Sequence, residues 1–292
     1  MIARRFSRPT AAPALGLLLS LALCLAACAG PRALPGTEAL ADDGDFAVLS
    51  YTDFPDVPEF GDATIYYPVG TPGPIGGVAI APGFTERQRH IEWWGPRLAS
   101  HGYAVVLLDT NDPREQPNAR AEALLAAVRL LRSESSRAES RLFGRIAVDR
   151  MAVMGHSMGG GGALRVAAEH GDIVRAAIPF TPWEPEADLS RISVPTLIIA
   201  GEEDDIAEVG EHAWRHFMAI PGSTAKVYME FEGGDHFIAD TSRGDDLPTI
   251  GRYALAWLKL HLDGDERYRD FLFAAERAGG DAGKVSRYVA NP

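Results

Sequence analysis

The chain has 292 residues, of which 46% are hydrophobic, and it carries 28 Lys and Arg against 40 Asp and Glu. This length and composition suit one large globular domain and exclude a disordered chain, a collagen and a small disulfide scaffold. The net charge of −12 disfavours nucleic acid as a partner, because an acidic surface repels a phosphate backbone.

The N-terminal segment has the pattern of an export signal. Three arginines within the first eight residues precede an apolar run, residues 11–25, that is short for a membrane span. Removing this segment leaves 25 cations against 40 acids and a net charge of −15, so the remaining chain is more acidic still.

The run ends in Leu25-Ala26-Ala27-Cys28, and small residues before a cysteine resemble a bacterial lipobox. We expect residues 1–27 to be a lipoprotein-type signal peptide, Cys28 to be lipidated and residues 28–43 to be a flexible tether. The protein would then be exported to the cell envelope and touch a membrane only through its lipid anchor. The alternative is cleavage near Ala27 or Ala29 and free secretion. Both cysteines lie in this segment, which excludes internal disulfides and thiol nucleophiles from the folded part.

Apolar, β-rich segments alternate with helical patterns along the rest of the chain. Strands are predicted at 77–81, 103–108, 151–154, 176–180, 196–200 and 227–231, with antiparallel edge strands possible at 46–50 and 63–67. Helices are predicted at 118–132 with Asn118 as cap, 158–170, 206–218 and 250–262, and another begins at Gly95-Pro96. The first five strands are almost continuously apolar, which indicates cover on both faces. The sequence therefore predicts one α/β domain over residues 44–292, with a mostly parallel central sheet, helices on both faces and a monomeric state.

Gly155-His156-Ser157-Met158-Gly159 fits the G-x-S-x-G motif of a nucleophile elbow. A predicted strand enters the motif and a predicted helix leaves it, as the motif requires. A serine on such a strained turn projects its hydroxyl toward a substrate, while the glycines let neighbouring backbone approach. Ser157 is therefore the candidate nucleophile, and the alternative is a glycine-rich turn with a solvent-facing serine.

Two further groups follow predicted strands. The acidic run 202–205 comes directly after the strand at 196–200, and an acid there can orient a histidine; Asp204 is the first choice and Asp205 the second. His236 follows the strand at 227–231 on a glycine-rich loop, from which it could reach the serine as a general base. The order Ser157, Asp204, His236 is that of α/β-hydrolases.

Other histidines are weaker candidates for a functional role. His156 adjoins Ser157, but its side chain is expected to point elsewhere on a tight elbow. His212 and His216 are four residues apart, like a zinc-binding pair, but no third ligand is evident. We expect these two to lie on a surface helix.

Seven stretches of the chain carry a resemblance to a known family: 63–68 (ATIYYP), 81–85 (APGFT), 94–100 (WGPRLAS), 109–111 (DTN), 154–162 (MGHSMGGGG), 178–183 (IPFTPW) and 254–259 (ALAWLK). In these stretches the sequence resembles the bacterial cutinases and polyester hydrolases, relatives of dienelactone-hydrolase-like esterases. The resemblance extends from about Asp45 to Tyr288. The resemblance implies an α/β-hydrolase fold without a lid domain, and esterase activity without a cofactor.

The resemblance also implies roles for individual residues. Ser157 would be the nucleophile, His236 the base and Asp204 its orienter, while the backbone amides of Phe84 and Met158 would form the oxyanion hole.

The rings of Phe84 and Trp183 would flank the acyl group, with Met158 and Ile206 completing an apolar cleft. Phe84 and Trp183 each follow a predicted strand, which places them at the carboxyl edge of the sheet, where ligands bind. Core packing is the alternative for either aromatic.

Two departures from the family pattern concern stability and cations. Members often close a disulfide near the C-terminus, but Phe273 occupies the matching region here, which puts stability at high temperature in doubt. Some members hold a divalent cation between three acids. Glu202 and Glu232 remain here, but Ser286 stands at the third position, so we expect weak cation binding or none.

These features predict a serine carboxylic-ester hydrolase that acts through an acyl-enzyme on bulky or polymeric esters, such as cutin-like or aromatic polyesters. Glu86 and Arg87, beside Phe84, are expected to form a charge pair at the cleft rim that hinders docking of a flat polymer. A general esterase for small, short-acyl esters is the first alternative. A non-catalytic exported binding lipoprotein, or another reaction on the same fold such as acyl transfer or peptide cleavage, are the others.

Overall fold

The computed structural model describes residues 37–241, 245–274, 281 and 283–292. The predicted signal peptide, Cys28 and most of the predicted tether lie outside these residues. No helix in the described ranges combines the length and apolar character that crossing a membrane requires.

Nine strands form one sheet, and six α-helices pack around it in the described chain. The strands are β1 (Val48–Tyr51), β2 (Ala63–Pro68), β3 (Ile75–Ala81), β4 (Ala104–Leu108), β5 (Ile146–His156), β6 (Ala176–Phe180), β7 (Thr196–Gly201), β8 (Lys226–Phe231) and β9 (Val285–Asn291). The helices are α1 (Trp94–Ser100), α2 (Pro117–Glu134), α3 (Met158–Glu169), α4 (Ala213–Ala219), α5 (Leu247–His261) and α6 (Arg269–Phe273). Short 3-10 turns lie at Thr37–Ala41, Gln88–His90, Leu189–Arg191 and Glu266–Tyr268.

The strand order is β1-β2-β4-β3-β5-β6-β7-β8-β9. Neighbours from β4 to β8 pair in parallel, whereas β1, β2 and β9 pair antiparallel at the two edges. This arrangement confirms the predicted α/β-hydrolase fold. Parallel strands bring their carboxyl ends to one edge, so the loops after β3, β5, β7 and β8 meet there.

The central strands are buried on both faces, because successive side chains alternate between two apolar clusters. Ala79 and Val153 face the cluster that contains side chains of α2, α3 and α4. Val78 and Met154 face the other, which contains side chains of α1, α5 and α6. The almost continuous apolar runs in the sequence reflect this double cover.

Some predicted boundaries were wrong. The helix expected at 206–218 begins only at Ala213, because Asp204 Oδ1 accepts the amides of Ile206 and Ala207 at 3.0 and 2.8 Å and turns the chain there. Helix α2 begins at Pro117, one residue before the expected cap Asn118. Strand β9 was not predicted, and it is a half-exposed edge strand with a weak apolar pattern.

Candidate active site

The turn between β5 and α3 holds Ser157 in a rare backbone conformation. Its φ and ψ are 54° and −117°, a region that residues other than glycine seldom adopt. Tight packing enforces the turn: a Cβ at Gly155 would lie 2.3 Å from the backbone of Gly159, and one at Gly159 would lie 2.2 Å from the carbonyl oxygen of Ala81. The two glycines of the motif are therefore steric requirements of this turn.

The structure brings Ser157, His236 and Asp204 together in one hydrogen-bonded chain. The hydroxyl of Ser157 lies 2.8 Å from Nε2 of His236, and Nδ1 of His236 lies 2.8 and 2.9 Å from the two carboxylate oxygens of Asp204. All three residues are buried. Asp205, the second choice, is exposed, whereas Asp204 is held in place by the two amides it accepts.

Two backbone amides near Ser157 have no acceptor in the described chain. Met158 is the first residue of α3, and the first amides of a helix have no partner within it. Phe84 lies after β3 on a loop whose Thr85 amide donates to Pro113, but the Phe84 amide has no acceptor among the described residues. Neither donor is therefore engaged elsewhere in that part of the chain.

A cleft of about 350 Å³ opens beside Ser157. Phe84, Ile206, His236 and Phe237 line it, and Phe84 and Ile206 are 43% and 54% exposed. The cleft thus has an apolar rim that is open to solvent.

Trp183 and Met158 are not among the residues that line this cleft. Trp183 borders a second cavity of about 280 Å³, and its indole ring stacks on the ring of His212 at 5.8 Å between centroids. Its amide donates to the carbonyl of Ser157 at 3.0 Å, which places its backbone against the elbow.

The prediction that Glu86 and Arg87 form a charge pair at the cleft rim was wrong. Glu86 is buried and lies 2.8 Å from Nδ1 of His156, while Arg87 faces Asp109 at 3.9 Å. Glu86 and His156 border the cleft, and Nε2 of His156 donates to the carbonyl of His236. The sequence does not reveal that Glu86 is buried, because a glutamate on a loop is usually exposed.

The prediction that His212 and His216 lie on a surface helix was only partly correct. His216 is buried, and its Nε2 donates to the carbonyl of Glu184 at 2.7 Å. Burial lowers the pKa of His216 to about 4, so the ring is neutral near pH 7.

The three positions considered for a cation do not share a contact. Glu202 accepts the amide of Gly233, and the hydroxyl of Ser286 donates to Glu230 and not to Glu232. The described ranges contain no group of three or more His, Cys, Asp or Glu side chains that could hold a metal ion.

Comparison with known proteins identifies the family of this chain. A family model described as PET hydrolase-like matches residues 29–291. The chain is 44% identical over 229 residues to Cutinase 1 of Thermobifida cellulosilytica, which covers 78% of this chain and 84% of the relative. It is 44% identical over 220 residues to Cutinase est2 of Thermobifida alba, covering 75% and 70% of the two chains. It is 45% identical over 214 residues to the bis(hydroxyethyl) terephthalate hydrolase of Streptomyces coelicolor, covering 73% and 66%.

The match spans the elbow, the strands that carry the acid and the histidine, and the residues that line the cleft. The relatives are carboxylic ester hydrolases by name. The chain belongs to the PET hydrolase-like family and is a carboxylic ester hydrolase with an α/β-hydrolase fold.

Proposed function

We propose that Ser157, His236 and Asp204 are the catalytic triad of a serine esterase that acts through an acyl-enzyme. The observation that carries the proposal is the continuous hydrogen-bonded chain from the Ser157 hydroxyl through His236 to Asp204. The strained elbow supports it, because a serine at φ 54° costs free energy and such strain is found mainly at functional sites.

The reaction follows from this chain of contacts. Ser157 Oγ attacks the ester carbonyl carbon while its proton passes to Nε2 of His236. The tetrahedral intermediate expels the alcohol, which takes that proton, and the acyl group remains on Oγ. Water then attacks the acyl carbon while its proton passes to His236. The second tetrahedral intermediate expels Ser157 Oγ, which takes that proton back, and the acid leaves. Asp204 keeps the proton on Nδ1 and stabilises the imidazolium, and no step needs a cofactor.

The amides of Phe84 and Met158 are proposed to bind the oxygen that becomes negatively charged. Both belong to backbone with no competing acceptor in the described chain. The loss of one such donor typically lowers the rate by ~10²–10³-fold.

Bulky or polymeric esters are the proposed substrates. The exposed apolar side chains of Phe84 and Ile206 support this, because they can contact a chain that stays largely outside the cleft. The names of the relatives, cutinases and a terephthalate ester hydrolase, also support bulky or polymeric esters as substrates. The alternative substrate class is small, short-acyl esters. Product release from aromatic polyester film, measured beside hydrolysis of a soluble nitrophenyl ester, separates the two: activity on the soluble ester alone favours the alternative.

A fluorophosphonate probe tests the triad directly. We expect wild type and Ser193→Ala, a control at an exposed serine, to be labelled and Ser157→Ala not to be labelled. Labelling of Ser157→Ala at the wild-type level, or no labelling of wild type, would refute the proposal. The second result would favour a non-catalytic binding protein.

We also propose that the protein is exported and anchored through a lipid on Cys28. The basic start, the short apolar run and Leu25-Ala26-Ala27-Cys28 support this. Mass spectrometry of the mature N-terminus tests it: a diacylglyceryl mass on Cys28 is expected and should vanish in Cys28→Ser. An unmodified start at Ala29 would instead indicate free secretion.

A further inference from the structure

His236 is held by its backbone as well as by its ring. Its carbonyl oxygen accepts a hydrogen bond from the hydroxyl of Thr181 at 2.8 Å and another from Nε2 of His156 at 2.7 Å. Since a carbonyl can only accept, Nε2 of His156 carries a proton. The other ring nitrogen, Nδ1, lies 2.8 Å from Oε2 of Glu86. His156 therefore connects the backbone of the proposed base to an acid on a different loop.

Glu86 is in turn bound to the loop that offers a proposed oxyanion donor. Its Oε2 also accepts the amide of Gly83 at 2.5 Å, and Phe84 follows directly. This loop lies close against the elbow, because a Cβ at Gly83 would come 3.0 Å from Cβ of Ser157. One carboxylate oxygen thus joins the Gly83–Phe84 backbone to the ring of His156.

Glu86 and His156 form a buried ion pair, with side chains 8% and 1% exposed. Burial lowers the pKa of His156, but the charge and hydrogen bond of Glu86, helped by Asp240, outweigh it and leave that pKa raised. Burial raises the pKa of Glu86, yet His156, the Gly83 amide and His90 hold that pKa below its ordinary value. Both shifts favour the charged pair over the neutral one.

We propose that Glu86 and His156 are a positioning pair that keeps the oxyanion loop and His236 aligned with Ser157 during ester hydrolysis. The inference rests on the proposed triad. The two contacts of His156 join residues 70 and 80 positions apart in sequence, so no local structure can replace them. Because a misplacement of about 1 Å can cost roughly 10²-fold in rate, loss of the pair should lower kcat more than it changes KM.

The pair predicts a signature in the pH dependence. Above the raised pKa of His156, Nδ1 loses its proton and its lone pair faces the carboxylate of Glu86, which breaks the alignment. The charged groups that face the ring are Glu86 and Asp240, with His236 beside it, while His90 and Arg120 face Glu86. The reaction needs a neutral base at His236, a requirement that limits the rate on the acid side of the profile and not on the alkaline side. Wild-type kcat should therefore fall at alkaline pH.

The test compares wild type with Glu86→Ala, Glu86→Gln and Glu92→Gln on a soluble nitrophenyl ester. Glu92→Gln is the matched control, because it removes the same charge from an exposed side chain six residues along. In Glu86→Ala, kcat should fall by about 10–100-fold with KM changed less than about threefold. In Glu86→Gln the amide nitrogen can donate to neutral His156, but at that position it can no longer accept the Gly83 amide, so kcat near pH 7 should fall by up to about tenfold and the alkaline limb should disappear.

Two results would overturn the positioning pair: a folded Glu86→Ala with wild-type kcat, or the same alkaline limb in wild type and Glu86→Gln. If Glu86→Ala does not fold, the pH profile of Glu86→Gln still decides. Fluorophosphonate labelling separates this inference from the proposed triad. No labelling of wild type at Ser157 refutes the triad, whereas equal labelling rates in wild type and Glu86→Ala refute only the positioning pair.

Discussion

Gly161, the third glycine after the elbow, allows a sharp test of how the first turn of α3 is packed. A Cβ at this position would lie 2.2 Å from the carbonyl oxygen of Trp183 and 3.1 Å from the side chain of Pro117. Alanine in a helix is favoured over glycine by about 1 kcal/mol, so propensity alone predicts that Gly161→Ala stabilises the protein. The structure predicts the opposite, because the Trp183 carbonyl must move by roughly 1 Å to restore an ordinary contact.

Overpacking of this kind costs about 1–3 kcal/mol, and a contact with backbone belongs at the upper end. After the gain in helix propensity, we expect Gly161→Ala to lower the free energy of unfolding by about 1–2 kcal/mol, which corresponds to a fall in Tm of about 2–8 °C for a domain of this size. The Trp183 amide bonds the Ser157 carbonyl, so kcat should also fall, by about tenfold. Urea denaturation and steady-state kinetics measure the two effects.

Gly210→Ala is the matched control, because a Cβ at Gly210 meets no described atom within 4 Å and its φ is negative or extended. We expect this variant to change stability by less than about 0.5 kcal/mol. The reasoning would be refuted if Gly161→Ala were more stable than wild type while Gly210→Ala was neutral.

Three further predictions concern a buried cation, a buried histidine and the cleft rim. The guanidinium of Arg120 is fully buried and donates to three backbone carbonyls, including that of Pro82 before the oxyanion loop. Arg120→Met should lower the free energy of unfolding by about 2–4 kcal/mol in urea denaturation, and Arg120→Lys should recover only part of it, because one ammonium cannot span all three acceptors. His216 has a pKa of about 4 in the folded chain against about 6.5 unfolded, so the unfolded state binds more protons between these values. Stability should therefore be complete above pH 6.5 and fall by up to about 3 kcal/mol toward pH 4, and His216→Gln should reduce that slope; an unchanged slope would contradict it. Phe84→Ala should lower kcat/KM on polyester film by about tenfold and on a nitrophenyl ester by less, and equal losses on both would argue against a polymer contact at the rim.

The strands and the three separated groups of the site could be predicted because they depend on local signals. Strands β3, β4, β6 and β7 and the second half of β5 are buried on both faces, so each is a short, almost continuously apolar run. Ser157, Asp204 and His236 follow such runs, and parallel strands bring their ends to one edge. The sequence favoured Asp204 over Asp205 without a physical reason, and the structure supplies one, because the Asp204 carboxylate accepts two amides of the following turn.

The errors arose where a distant partner decides the environment of a residue. Glu86 was expected at the surface, but His156, seventy residues away, supplies the charge that lets it be buried. His216 was expected on an exposed helix face, but the carbonyl of Glu184 accepts its ring proton in the interior. In both cases the side-chain type predicted exposure to solvent, and only the tertiary contact explains why the side chain is buried.

The site therefore divides into two parts with different mechanical requirements. Ser157, His236 and Asp204 are each buried and bound to at least two partners, so their geometry is fixed before substrate arrives. Phe84 and Ile206 are largely exposed and hold only one face of a ligand. A fixed centre suits the negative charge on the ester oxygen, which develops while the reacting atoms move by only a fraction of an ångström. An open rim suits a substrate that is too large to be enclosed. The ion pair of Glu86 and His156 borders the same cleft but is buried beside the centre and bound to the backbone of His236, so we expect it to affect the rate more than the binding of the ester.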